Sequence, residues 1–119
     1  MTLFSAITSP EQLVLWPELT RKSPKGAFFP QSEVVLRYTQ KGGQVELHDV
    51  EGFAPPTVLI GVHPCDAASL AVLKAVFTWD SSDAPFETKL AATTVIGLSC
   101  TQADAFCFCT SVGGSPGDT

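Results

Sequence analysis

The fold of this chain is decided by the stretch Thr57-Val58-Leu59-Ile60-Gly61-Val62, which runs directly into His63-Pro64-Cys65-Asp66. Six mostly apolar residues in a row, several of them β-branched, are typical of a strand that is buried on both faces. Pro64 and Asp66 suit the first turn of a helix, and the apolar residues from Ala67 to Phe77 predict a helix with a broad buried face. The stretch therefore predicts a strand followed at once by a helix.

A second run of the same kind, Thr93-Thr94-Val95-Ile96-Gly97-Leu98, follows after a polar break at 80–83 and a short predicted helix over 85–90. Two buried strands joined by a helical crossover are best explained as parallel neighbours. The prediction is an α/β fold in a single domain, with a small, mainly parallel sheet and flanking helices.

The N-terminal half gives weaker patterns. Ser9-Pro10 predicts the start of a short helix within residues 9–20. Residues 34–38 fit either a helical stripe or a strand, whereas the alternation over 44–50 predicts a half-buried strand beyond the breaker Gly42-Gly43. The basic loop 21–27 is expected to be solvated, with a patch for an acidic partner as the alternative.

Composition excludes several classes of protein. Of the 119 residues 45% are hydrophobic and 16% are charged, so the chain can build a core and is not expected to be disordered. A net charge of -5 disfavours nucleic acid as a partner. The apolar runs are too short to span a membrane, and the first residues lack the basic region of a signal peptide. A cytoplasmic protein is expected.

Four cysteines lie in the second half of the chain: Cys65, Cys100, Cys107 and Cys109. Cys65 and Cys100 each follow the end of a predicted parallel strand, so both are expected at the same edge of the sheet, where open α/β folds place their sites. Cys107 and Cys109 come seven and nine residues after Cys100, and a C-x-C pair in extended backbone points both side chains to one face. The four thiols are therefore expected to converge.

Converging thiolates favour an iron–sulfur cluster or zinc. Their spacing matches neither a zinc-finger pair nor the bacterial ferredoxin run, so spacing alone leaves other interpretations open. Cys65 and Cys100 can equally be buried core residues, two disulfides have to be considered for an even count, and a nucleophilic cysteine enzyme is a competing class.

Residues next to the cysteines carry further expectations. The N-terminus of the helix is expected to lower the pKa of the Cys65 thiol. Phe106 and Phe108 are expected to shield a cluster from water. His63 is either a ligand or proton-linked group near the site, or a histidine that hydrogen-bonds a neighbouring loop. Asp66 is expected to accept hydrogen bonds from backbone donors at the start of the helix, and Gly113-Gly114 to give close backbone approach to a cluster or to form a turn.

Three segments, in this order, resemble the family of beta subunits of cytosolic nickel–iron sulfhydrogenases, which includes the A subunit of anaerobic sulfite reductase. Residues 23–38 resemble its SPK…FPQ segment, residues 61–66 resemble its G-V-R-P-C-D motif, and Cys100 with residues 107–113 resembles its C…C-F-C-x-S-x-G motif. His63 stands where the family has arginine.

The resemblance implies a non-catalytic electron-transfer subunit of an oxidoreductase complex. It implies one cluster, 4Fe–4S in the first place and 2Fe–2S or zinc as alternatives, with Cys65, Cys100, Cys107 and Cys109 as ligands. The implied partners are a flavin-containing subunit and a catalytic hydrogenase or sulfite-reductase-like subunit. Two other functions stay open: a structural zinc-binding docking domain and a thiol-based redox enzyme.

Domain organisation follows from the same resemblance. Residues 1–112 are expected to form the α/β iron–sulfur domain, and residues 113–119 a Gly/Pro-rich tail or a linker to a missing part. Members of the family continue into a ferredoxin-like domain, whereas this chain has no C-x2-C-x2-C run. It is expected to be a piece of a longer subunit, a split subunit or a stand-alone N-terminal domain.

Overall fold

The computed structural model of the chain describes residues 4–15, 20, 22–50 and 54–117. These residues form two helices, four strands in two small sheets, and three single 3-10 turns, an α/β-like single domain. The elements in chain order are a 3-10 turn at Pro10–Gln12, a 3-10 turn at Pro24–Ala27, β1 (Arg37–Lys41), β2 (Gln44–His48), β3 (Thr57–Val62), α1 (Pro64–Phe77), α2 (Ala84–Ala92), β4 (Thr93–Gly97) and a 3-10 turn at Cys109–Val112.

The strand–helix–helix–strand unit from β3 to β4 is the centre of the fold. β3 and β4 pair in parallel, from Thr57 opposite Thr93 to Val62 opposite Gly97. The predicted parallel pair, the helix after His63 and the break at 80–83 are thereby confirmed. The second helix is capped by Asp83, whose carboxylate accepts a hydrogen bond from the backbone N–H of Phe86 at 2.9 Å and so satisfies one of the free donors of the first turn.

A small aromatic core lies between this unit and the loop before β1. Phe28, Leu70 and Phe86 are buried there, and Leu59 and Val95 of the sheet pack against them. The ring of Phe77 stacks on that of Phe86 with a centroid distance of 4.5 Å, the remaining partly buried members being Leu73 and Leu90. One face of the β3–β4 sheet is thus covered by α1 and α2.

The predicted character of the sheet is wrong in two respects. The sheet is not mainly parallel, because β1 and β2 form a separate antiparallel pair. They are joined by Gly42-Gly43, both with positive φ, as a tight two-residue hairpin turn requires. Burial of both faces of the parallel strands is wrong as well, since Val58 and Ile96 are exposed.

The N-terminal helix predicted within residues 9–20 is reduced to a single 3-10 turn. The turn begins at Pro10 as expected, but Leu13 already has extended backbone angles. The hydroxyl of Ser9 bonds the carboxylate of Glu11 rather than capping a backbone N–H, so it does not anchor a longer helix. The part of the prediction that includes Trp16 and Pro17 lies outside the described residues.

Candidate functional site

All four cysteines line one cavity at the carboxyl ends of β3 and β4. The cavity has a volume of about 760 Å³. Cys65 comes from the first turn of α1, Cys100 from the third residue after β4, Cys107 from the loop that follows, and Cys109 from the start of the last 3-10 turn. The four residues that the sequence singled out thus all contribute to the lining of one cavity.

The end of β3 is shaped by a glycine before it delivers Cys65. Gly61 has φ +84, and the register between β3 and β4 shifts between Ile60 and Val62, as at a β-bulge. Beyond the shift, the carbonyl of Val62 accepts a hydrogen bond from the backbone N–H of Leu98 at 2.9 Å. The two strand ends are therefore fixed to each other immediately before the cysteines.

The loop from Cys100 to Pro116 closes the cavity by returning to its own start. The N–H of Cys100 donates to the carbonyl of Pro116 at 2.9 Å, and the N–H of Gly114 donates to the carbonyl of Cys109 at 2.9 Å. Gly113 is left-handed, with φ +80, and a Cβ on Gly114 would lie 3.3 Å from the Cys109 carbonyl oxygen. The two glycines form a tight turn of the site, and the domain boundary expected after residue 112 falls inside this closing loop.

Backbone groups of the same loop hold two of the sulfurs. The thiol of Cys100 donates to the carbonyl of Gln102 at 3.1 Å, and the N–H of Asp104 donates to Sγ of Cys107 at 3.3 Å. The carboxylate of Asp104 in turn accepts from the N–H of Phe106 at 2.8 Å. Asp104 thus organises the turn that presents Cys107, a role that its sequence context did not indicate.

The pKa of the Cys65 thiol is raised, so the expected lowering by the helix N-terminus is wrong. Desolvation is the largest cause, although the Cys65 side chain is exposed and is therefore not a buried core residue. The neighbouring Asp66 carboxylate adds to the shift, and backbone hydrogen bonds oppose it. The charge on Cys109 is the smallest of the causes that raise the pKa.

The pKa of Cys107 is raised as well. The backbone hydrogen bond from Asp104 lowers it, but the Asp104 side chain, desolvation and the charge on Cys100 together outweigh that effect.

All four cysteines are free thiols, so the structure contains neither of the two disulfides that an even count allows. Among the residues that the structure describes, no group of three or more histidine, cysteine, aspartate or glutamate side chains is arranged to hold a metal ion. What the four thiols share is the lining of one cavity.

The basic loop contributes to the cavity, which its sequence alone did not indicate. Lys25 lines the cavity and Pro24 is buried, so this part of the loop is not simply solvated. The hydroxyl of Ser23 donates to the Asp66 carboxylate at 2.7 Å and ties the loop to the first turn of α1. Asp66 thus accepts a hydrogen bond from the side chain of Ser23, and not from backbone donors at the helix start as expected. The SPK segment, residues 23–25, is the part of the sequence that could have indicated this role, because the family resemblance includes it. The resemblance did not assign it to the site.

Three other residues near the cysteines differ from their expected roles. Phe106 and Phe108 line the cavity but are themselves exposed to solvent, so they do not screen it. His63 is only 2% exposed, its Nδ1 has no hydrogen-bond partner, and it is not part of the cavity lining. His63 was expected to donate or accept a hydrogen bond with a neighbouring loop, and its Nδ1 does not make one.

None of the helices in the described part of the chain has the length and apolar character needed to cross a bilayer. Compared with family models, with curated proteins and with solved structures, the chain has no significant match.

Proposed function

We propose that this chain is an iron–sulfur electron-transfer subunit, or the N-terminal domain of one, that binds a cluster through Cys65, Cys100, Cys107 and Cys109. The observation that supports the proposal best is that these four free thiols, all the cysteines of the chain, line a single cavity. Four thiolates are the usual ligands of 2Fe–2S and 4Fe–4S clusters, and such a cluster supplies one-electron transfer when bound.

The chemistry of the cavity fits this donor set. Its wall is largely apolar, with Val72, Val112 and Pro64 beside the cysteines. Apolar surroundings and N–H donors to sulfur are the means by which a protein tunes a cluster, and the N–H of Asp104 already donates to Cys107. The N–H of Asp104 is therefore available to act on a bound cluster, whereas Val72 and Val112 are exposed and would screen it no more than Phe106 and Phe108 do.

The pKa values of two of the four thiols bear on the alternative of a nucleophilic cysteine. A catalytic cysteine is activated by a lowered pKa, whereas those of Cys65 and Cys107 are raised. For these two thiols the direction favours the role of a ligand over that of a nucleophile. A ligand has no such requirement, because binding of the metal itself displaces the thiol proton. Loading is therefore expected to release protons and to be favoured by rising pH.

The resemblance to the sulfhydrogenase and sulfite reductase subunits suggests the wider role. In that role the chain makes and breaks no bonds of a substrate. It passes single electrons between a flavin-containing partner and a catalytic hydrogenase or sulfite-reductase-like subunit in the cytoplasm. The cluster is proposed to be of the 4Fe–4S type because the resemblance to this family implies that type.

The test is anaerobic reconstitution of the full chain with ferrous iron and sulfide, followed by metal analysis, visible absorption and EPR. We expect a brown protein with about four irons per chain. Cys100→Ser should lose most of the iron, while the control Ser99→Ala, at the neighbouring residue outside the cavity lining, should retain it. A colourless product without iron, or a chain that takes up one zinc ion in place of iron, would overturn the proposal.

A further inference from the structure

Lys25 is the only cationic side chain among the described residues that line the cysteine cavity. The same lining holds the carboxylates of Asp66 and Asp104 together with the four cysteines. A bound cluster adds further negative charge, because four thiolates carry more charge than the core of iron and sulfide neutralises. Lys25 is therefore the one residue of this lining whose charge opposes that of a cluster.

The backbone of Lys25 is fixed at the cavity from both sides. On the preceding side, the hydroxyl of Ser23 donates to the Asp66 carboxylate of α1 at 2.7 Å. On the following side, the carbonyl of Lys25 accepts hydrogen bonds from the N–H groups of Phe28 at 3.0 Å and Phe29 at 2.8 Å. The side chain of Phe28 is 1% exposed and belongs to the aromatic core. Lys25 thus keeps its place in the lining although it is exposed itself.

The ammonium of Lys25 has no ion-pair partner in the part of the chain that the structure describes. Both carboxylates of the cavity accept hydrogen bonds from other donors. Asp66 accepts from the hydroxyl of Ser23, and Asp104 accepts from the N–H of Phe106. The charge of Lys25 is therefore not held by a carboxylate and is available to an anionic group in the cavity.

We propose that the ammonium of Lys25 offsets the negative charge of the bound cluster and so raises its reduction potential, a role that rests on the proposed function. Reduction adds one electron, which the flavin-containing partner supplies in the complex, so the reduced form is the more negative one. A nearby cation stabilises the more negative form to a greater extent. Net charge is one of the properties that set the potential of a cluster.

The experiment is a redox titration of the anaerobically reconstituted full chain with dithionite, followed by EPR. Lys25→Met removes the charge, Lys25→Arg keeps it, and Lys22→Met removes the same charge from the same loop outside the described cavity lining. For Lys25→Met the ratio of reduced to oxidised cluster at a fixed potential should fall about threefold, as for an exposed charge pair. At 59 mV per tenfold for one electron this is a lowering of about 30 mV. Lys25→Arg and Lys22→Met should keep the ratio within about 1.5-fold of the wild type.

Ionic strength separates an effect of charge from a rearrangement of the loop. Because Lys25 is exposed, salt screens its charge, and the Debye length falls from about 10 Å at 0.1 M to about 3 Å at 1 M. The difference between the wild type and Lys25→Met should therefore shrink at 1 M salt. A difference that salt does not reduce, or one that Lys22→Met or Lys25→Arg reproduces in full, overturns the role of Lys25.

The outcomes also distinguish a failure of this role from a failure of the proposed function. A wild-type chain that takes up no iron overturns both. Equal potentials in loaded wild type and loaded Lys25→Met overturn the role of Lys25 alone. If Lys25→Met takes up no iron, Lys25→Arg decides, because full loading of Lys25→Arg supports the role of the charge, whereas loss of iron in both variants overturns it.

Discussion

Gly61→Ala is expected to destabilise the protein through the backbone conformation of the bulge that precedes Cys65. Gly61 has φ +84, a left-handed conformation that costs a residue with a Cβ about 1–2 kcal/mol. The added Cβ would also stand 3.3 Å from Cδ2 of Leu15, but that atom is the end of a flexible side chain and can move by a few tenths of an ångström. The conformational strain therefore decides the sign and the size of the effect.

Gly97→Ala is the matched control, because Gly97 lies at the paired end of the neighbouring strand. Its φ is not positive, and a Cβ there would meet the carbonyl oxygen of Val62 at 3.7 Å, an ordinary contact. Both substitutions reduce the conformational entropy of the unfolded chain by the same amount, which stabilises each variant by about 0.4–1 kcal/mol. The difference between the two variants therefore isolates the strain at Gly61.

The assay is equilibrium unfolding of both variants in urea under reducing conditions, followed by far-UV circular dichroism. With a slope of about 1.5 kcal/mol per molar urea, a strain of about 1.5 kcal/mol places the midpoint of Gly61→Ala about 1 M below that of Gly97→Ala. Equal midpoints, or a more stable Gly61→Ala, would refute the left-handed bulge and with it the placement of Cys65 at the strand end.

Two further predictions concern the ion pair and the thiols. Glu33→Gln should destabilise the chain more than Lys89→Met, because it strands the Lys89 ammonium, whose side chain is 10% exposed, whereas the Glu33 side chain is 26% exposed and can be hydrated. We expect the free energy of unfolding, measured in urea, to fall by about 3 kcal/mol for Glu33→Gln and by about 1 kcal/mol for Lys89→Met. The double variant should be more stable than Glu33→Gln alone. Equal losses for the two single variants would contradict this reasoning. The rate of alkylation of Cys65 in the metal-free protein can be measured against pH by peptide mass spectrometry. Its midpoint should lie at a higher pH than that of the same peptide in the urea-unfolded chain, which is expected at about 8.5. The reason is that desolvation raises the pKa of Cys65 and only the thiolate reacts. A midpoint below the unfolded value would restore the nucleophilic interpretation.

The predictable part of the fold consists of elements whose pattern is local. The β-branched run of β3, proline at the start of α1 and the alternation of β2 each identify an element from residues close in sequence. The hairpin partner of β2 was ambiguous, because residues 34–38 satisfy a helical and an extended pattern equally. The structure places only Arg37 and Tyr38 of this range in a strand, β1, which the left-handed Gly42-Gly43 turn pairs with β2, and it places 34–36 in neither a helix nor a strand.

The candidate site was predictable to the extent that strand order implies position. Parallel strands end at one edge, so the sequence alone was enough to place Cys65 and Cys100 together. The pKa of Cys65 could not be predicted in this way, because desolvation and the Asp66 charge outweigh the helix terminus. Lys25 and Asp104 were missed because their roles arise from a loop docked on α1 and from a turn closed by hydrogen bonds.

The sequence by itself determined the strand–helix–helix–strand unit, since hydrophobic periodicity, prolines and helix caps act within a few residues. It also determined that four thiols follow the ends of these elements. Only the tertiary structure decided which surfaces are buried and in which direction the pKa values of Cys65 and Cys107 shift, because burial and charge depend on residues far apart in the chain. The same reason explains why two strands expected to be buried on both faces are open on one.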